Sequence, residues 1–294
     1  MIPRRVRFRR LRPRPGFCRV LLLGGFVLAL GILPAGTAWA WGPTAHRLVN
    51  NWAIQSLPPE MREFFEANRG FIVDHSNDPD QWMLKDRYER KQHYIYLDKY
   101  GIFPFLSLPH SFKAAVEQYG SGRVNRDGLL PWHIGEYSLR LTNALKARNW
   151  DEAKLDAAVL AHYIADAHDP LHTTQNYDGQ LTQETGLTDR YDIRLPDRYS
   201  RFFIMHAEDA VKIDDPTEYA FGMCLEAHVW VDSIILADRR AREGLVDYTD
   251  EYFDRFYSQV GHNVMREIND AARDTASYWY TAWLNAGSPQ LPAR

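Results

Sequence analysis

One apolar stripe constrains this chain more than any other feature. Phe253, Phe256, Val260, Val264, Ile268 and Ala272 recur at three- and four-residue spacing within residues 250–284, until Gly287 and Pro289 stop the pattern. The period is helical, and a helix this long needs other helices to cover its stripe. Candidates are present. Leu48, Val49, Trp52, Ala53 and Leu57 line residues 43–57, and Ile134, Tyr137, Ser138, Leu141 and Leu145 line a second helix. Pro58-Pro59 interrupts the first, and a short helix over 60–68 should end at Gly70. Pro216 opens another that reaches roughly Arg242. Asp151 is expected to cap the helix preceding Pro170. The segment holding Asp74, His75, Asn77, Asp78 and Asp80 reads as a polar loop, and residues 173–199 as loop-like. No stretch alternates as a strand would. The expectation is an all-α, single compact multi-helix bundle with its functional groups on loops and helix ends at one side.

The segment His162-Tyr-Ile-Ala-Asp166-Ala-His-Asp169-Pro170-Leu-His172 concentrates the chemistry. His162 and Asp166 are four residues apart, so a helix projects both from one face. Asp169-Pro170 should end that helix, leaving His172 free to fold back toward the same point. Two imidazoles converging on a carboxylate suit zinc, and the carboxylate can bridge two ions.

The N-terminus reads as a leader. Eight arginines between Arg4 and Arg19, with no acid, precede an apolar run over 20–33 and a small-x-small cleavage site at Ala38-Trp39-Ala40. The run is shorter than the roughly 20 residues that span a bilayer. Residues 1–40 are therefore expected to be a cleaved signal peptide, with 41–294 exported to the periplasm or beyond. The paired arginines hint weakly at export of a folded, metal-loaded protein. Cleavage would free the α-amino group of Trp41, which with its own carbonyl can chelate a metal; His46 follows five residues on. Without that, Trp41 is a buried tryptophan and His46 an ordinary helix residue. The remaining 254 residues suffice for one domain with a proper core. Losing eight positive charges takes the formal charge from −3 to −11, which counts mildly against long nucleic acid as substrate. Cys18 would leave with the leader and Cys224 would remain alone, so stability rests on packing and metal.

Trp41 as a mature N-terminus, His46 and the His162/Asp166/His172 spacing together resemble the zinc-dependent phospholipase C and single-strand-specific nuclease superfamily, over essentially the whole chain after residue 40. The resemblance implies an all-helical enzyme with three Zn2+ ions. It places one zinc on Trp41 and His46. It gives another to His93, His162 and an upstream aspartate, best matched by Asp80, with Asp78 as competitor. Asp166 becomes the bridging carboxylate. The third zinc would take His172 and Asp192, in Gly186-Leu-Thr188-Asp-Arg-Tyr191-Asp192. Thr188 stands where the family has a histidine, and a neutral hydroxyl is a poor zinc ligand. Asp189, His168 or His228 could substitute; otherwise the site is empty and the protein is an impaired metal-binding periplasmic scaffold. His75, His133, His206 and His262 read as solvated or structural.

An intact cluster implies a phosphoester hydrolase in which zinc-activated water cleaves a phosphodiester, with Asp80 as the catalytic group that orients the water or takes its proton. The 20-residue interval from His172 to Asp192, Pro79-Asp80, Asn176 and the acidic charge favour a phospholipase C-like substrate. The Trp41-to-His46 interval and His93-Tyr94 resemble the nucleases, the alternative. The expected partner is a phospholipid or nucleic-acid phosphodiester, with transient contact at a membrane surface and no protein partner.

Overall fold

The computed structural model describes residues 41–292; the expected leader, residues 1–40, lies outside the described residues. The chain runs through α1 (Pro43–Ser56), α2 (Pro59–Ala67), α3 (Arg69–Asp74), α4 (Asp78–Met83), α5 (Phe112–Tyr119) and α6 (Ser121–Asp127). It continues through α7 (Leu130–Lys146), α8 (Trp150–Ala167), α9 (Leu195–Tyr199), α10 (Pro216–His228), α11 (Val231–Arg242) and α12 (Asp250–Asn285). Among the described residues there is no strand, only an isolated antiparallel bridge between Ile95 and Gly128. The fold is all-α, as its periodicities predict.

Helix α8 is the central element. Every residue from Ala157 to Ala167 is buried, so this helix has no solvent face over its last three turns. Ala153, Ala157, Ala158, Ala161 and Ala165 keep it thin enough for neighbours to approach closely. Helix α12 spans 36 residues, about 54 Å at 1.5 Å per residue, and packs along α1, α7, α8 and α11. Its first half, Tyr252 to Ile268, belongs to one apolar cluster with Trp41, Val49, Tyr191 and Ile234. Its last turns, Ala276 to Ala282, belong to a second cluster with Phe65, Leu141, Leu160 and Phe221. The Trp279 indole N–H donates to the Ala157 carbonyl at 3.0 Å and so locks α12 to α8.

Several local expectations are corrected. Gly70 does not end a helix: α2 ends at Ala67, and Gly70 lies inside α3, which follows after the single residue Asn68. The polar segment near Asp80 is helical, a 3-10 turn over His75–Asn77 leading into α4, whose first turn holds Pro79 and both acids. Acids and proline suit a helix N-terminus as well as a loop, which is why the composition misled. Residues 173–199 contain a π-helical turn, Asp189–Arg194, and α9. The helix from Pro216 is broken at Val229 and Trp230, which keep helical dihedrals round the corner and leave no Gly or Pro signal. Asn149, not Asp151, caps α8, accepting from the Glu152 N–H, while Asp151 sits in the first turn.

A buried ionic knot ties the end of α8 to α12. His168 Nε2 lies 3.1 Å from Asp274 and Nδ1 3.5 Å from Glu267, all three nearly inaccessible. Burial pushes the imidazole down, but the two carboxylates outweigh it and raise His168 to about 9. Its folded-state pKa thus exceeds the unfolded value, so its stabilisation is complete below about pH 6.5 and disappears as pH rises through 9. Thermal melts are expected to lose stability across that window, by an amount on the order of 3 kcal/mol, and His168→Gln should flatten the profile. A wild-type melting temperature constant from pH 6.5 to 9 would contradict this.

Candidate metal centre

The imidazoles and carboxylates singled out by spacing and by resemblance come from separate elements and meet at the end of α8. His46 sits in the first turn of α1, Asp80 in α4, His93 at the end of the 3-10 turn Glu89–His93, and His162 and Asp166 one turn apart on α8. The His46 and His162 rings stack with centroids 3.9 Å apart. Asp166 stands between them and His93: its Oδ1 is 3.6 Å from His46 Nε2, and its Oδ2 is 2.9 Å from His93 Nδ1 and 3.5 Å from His162 Nε2. Asp80 Oδ1 is 3.8 Å from His162 Nε2, whereas Asp78 turns away and pairs with His75 at 2.6 Å.

Backbone carbonyls orient the rings. His162 Nδ1 donates to the Ser76 carbonyl at 2.8 Å, and His172 Nδ1 to the His93 carbonyl, so the His162 Nε2 lone pair faces His93 Nδ1 at 3.2 Å. His93 Nε2 lies 3.6 Å from Glu89, which itself accepts from the Tyr163 hydroxyl. His93 therefore turns Nδ1 inward. Glu89, Tyr163 and the Ser76 carbonyl were not foreseen, because carbonyl and remote carboxylate partners leave no spacing pattern.

Three donor sets result, each with its ligand atoms within 4.8 Å of one another: His46, Asp80 and His162; His93, His162 and Asp166; and Asp169, His172 and Asp192. His46 Nε2, Asp80 Oδ1, Asp166 Oδ1, Asp169 Oδ2 and both Asp192 oxygens are buried with no hydrogen-bond partner. Orphaned acceptors at such density are costly unless a cation completes them. Burial also shifts the groups. It lowers His46 to about 4 and holds His162 well below its ordinary value, so both are neutral donors near pH 7. It raises Asp80 to about 7, His93 opposing and Asp166 adding, and raises Asp192 well above its ordinary value with Asp169 beside it. Two neutral imidazoles, and a His93 that burial would lower but Asp166 and Glu89 raise to about 10, face crowded carboxylates, and this donor set fits zinc.

Trp41 is almost completely buried, its indole tilted against Tyr191 at 5.6 Å. The His46 backbone N–H donates to the Gly42 carbonyl at 3.4 Å. The Gly42 N–H donates to the Asp192 carbonyl at 2.9 Å. A side chain at Gly42 would come within 3.2 Å of the Ile193 backbone, so glycine eases this close approach. Residue 41 is thereby held beside Asp192 and His46.

No family model matches this chain, and no curated protein sequence does either. Solved structures do. The fold is shared with two clostridial toxins. One is the alpha toxin from Clostridium absonum, with a TM-score of 0.52 and 12% identity over 87% of this chain and 66% of that one. The other is the alpha-toxin of an avian strain of Clostridium perfringens, with a TM-score of 0.53 and 14% identity over 86% and 65%. This chain thus spans just under two thirds of the length of each.

The remaining candidates are placed elsewhere. Thr188 turns from the cluster, its hydroxyl donating to the Tyr177 carbonyl at 2.8 Å. None of its expected substitutes reaches in. Asp189 is exposed toward Arg194, His168 is held by Glu267 and Asp274, and His228 meets Thr173 and Phe105. Asp169, read as a helix stop, is the acid that the sequence did not reveal. Its Oδ1 accepts from the Leu171 N–H at 2.8 Å, and its Oδ2 is left for the cluster. A cleft beside His93 and His172 is walled by Tyr94, Tyr96 and Tyr177, with Arg90 among its lining. The Tyr94 and Tyr96 rings stack at 4.4 Å, and Tyr96 and Tyr177 at 6.0 Å. A larger groove of about 510 Å³, lined by His110, Trp132 and Glu218, contains no converging donor set.

Proposed function

We propose that residues 41–294 form an exported zinc-dependent phosphoester hydrolase, phospholipase C-like in substrate. The observation that carries this reading is the convergence of three donor sets rich in buried, unpartnered atoms. The resemblance of the Trp41, His46 and His162/Asp166/His172 pattern and the fold shared with the alpha-toxins support it. Trp41, His46, Asp80, His93, His162, Asp166 and His172 with Asp192 are the proposed ligands. Zinc bound there supplies a Lewis acid that lowers the pKa of water toward neutrality and offsets charge on the phosphoryl oxygens.

The chain's own residues do the rest. Asp166 holds His46, His93 and His162 around one point, while the Ser76 carbonyl and Glu89 fix the ring orientations. Asp80 stands where it can take the proton of an attacking water. The narrow cleft walled by Tyr96 and Tyr177, about 20 Å³ in volume, lies at the edge of the cluster beside His93 and His172. One observation favours a nuclease as the second reading. Stacked tyrosines beside Arg90 suit a flat base and its phosphate better than a cationic head group.

Protein exported by its own leader should begin at Trp41 on N-terminal sequencing and contain zinc. It should hydrolyse a chromogenic phosphodiester, with phosphatidylcholine turned over faster than single-stranded DNA. The reverse preference selects the nuclease. Absence of metal and of all turnover would refute the hydrolase. Asp80→Asn is expected to lower kcat about 100-fold or more, the usual scale for losing a positioned proton acceptor. Unchanged kcat would remove Asp80 from catalysis.

A further inference from the structure

The three donor sets are not alike. Two, which share His162, each contain a pair of imidazoles and one carboxylate, whereas Asp169, His172 and Asp192 reverse that ratio. The histidine that the resemblance leads one to expect is Thr188, whose hydroxyl and N–H are already committed to the Tyr177 carbonyl and Asp178. Asp169, from the turn just before His172, completes the set instead. One oxygen caps that turn through the Leu171 N–H, and the other is buried without a donor. Both Asp192 oxygens are equally unpartnered and inaccessible. Two carboxylates facing each other with no N–H between them need either a shared proton or a divalent cation.

We propose that Asp169 replaces the missing imidazole and makes this third position an oxygen-rich site, one that exchanges zinc for a harder divalent ion such as Mn2+ while the other two keep zinc. Carboxylate oxygens suit Mn2+ and Mg2+, while imidazoles favour zinc, so swapping one imidazole for a carboxylate narrows zinc's advantage at this position alone. The two carboxylates also neutralise the full charge of a divalent ion. The third site is therefore altered rather than lost.

This inference rests on the reading that the cluster binds metal, and its test reads metal identity, not turnover. Zinc-loaded protein is dialysed against excess Mn2+ and then counted by elemental analysis and Mn2+ electron paramagnetic resonance. Two zinc ions and one Mn2+ per chain are expected. Asp169→Asn should weaken Mn2+ binding at least tenfold, and Asp169→His should hold a third zinc that Mn2+ no longer displaces. Thr188→Ala should change nothing. Two zincs with no Mn2+ up to millimolar concentration would mean that the acids share a proton, overturning this inference and sparing the hydrolase. So would three zincs that Mn2+ does not displace, or Asp169→Asn binding Mn2+ as tightly as wild type. A protein that binds no metal at all would overturn both. The wild-type count decides the matter even if Asp169→Asn fails to fold.

Discussion

Asp166→Asn is expected to reduce phosphodiester turnover about 1,000-fold or more and to release metal, the largest single effect that this structure predicts. Asp166 contacts all three imidazoles at the end of α8: Oδ1 faces His46, and Oδ2 faces His93 and His162. Burial opposes its ionisation, but His162 and His93 hold the carboxyl well below the usual carboxylate range. It is thus a fixed negative charge, and one of its oxygens has no other partner. Asparagine removes the charge and turns an N–H2 group toward ring nitrogens that need a cation or an acceptor. Zinc per chain and kcat should fall together while the helical circular dichroism is retained. A variant that keeps its zinc and stays within tenfold of wild-type kcat would show that Asp166 does not join the ions.

The largest expected loss of stability is at Arg190. Its guanidinium grips Asp238 with two bonds of 2.7 and 3.0 Å, donates to the carbonyls of Glu184 and Thr185, and stacks over Tyr248 at 4.0 Å. Arg190 and Asp238 are both nearly inaccessible. Removing one member of such a pair leaves a buried charge uncompensated, at a cost of about 3–5 kcal/mol. Arg190→Met should therefore lower the melting temperature by roughly 10 °C. The double variant Arg190→Met with Asp238→Leu should recover much of the loss, because it removes the stranded charge as well. Arg190 also ties residues 184–185 to the π-helical turn that carries Asp192, so the single variant should weaken the third metal position. An unchanged melting temperature would show that Tyr252 and water suffice for Asp238.

Periodic features were legible in the sequence, and convergent ones only in part. The stripe from Phe253 to Ala272 and the His162–Asp166 spacing identify helix and face without any structure, because one helix fixes both. His46, Asp80 and His93 lie on three other elements, and only resemblance brought them toward α8. Asp169 shows where local reading fails. An acid before proline has a complete explanation as a turn cap, and that explanation uses one oxygen. The second oxygen becomes visible only once Asp192 is seen opposite it. The break at Val229 was hidden for a related reason: a corner made with helical dihedrals carries no turn residue to announce it.

Helix α12 gives the molecule a shared beam. Each apolar cluster holds one end of the same 36 residues. Loss of the helix through its middle would withdraw support from both, so the two clusters are expected to melt in one transition.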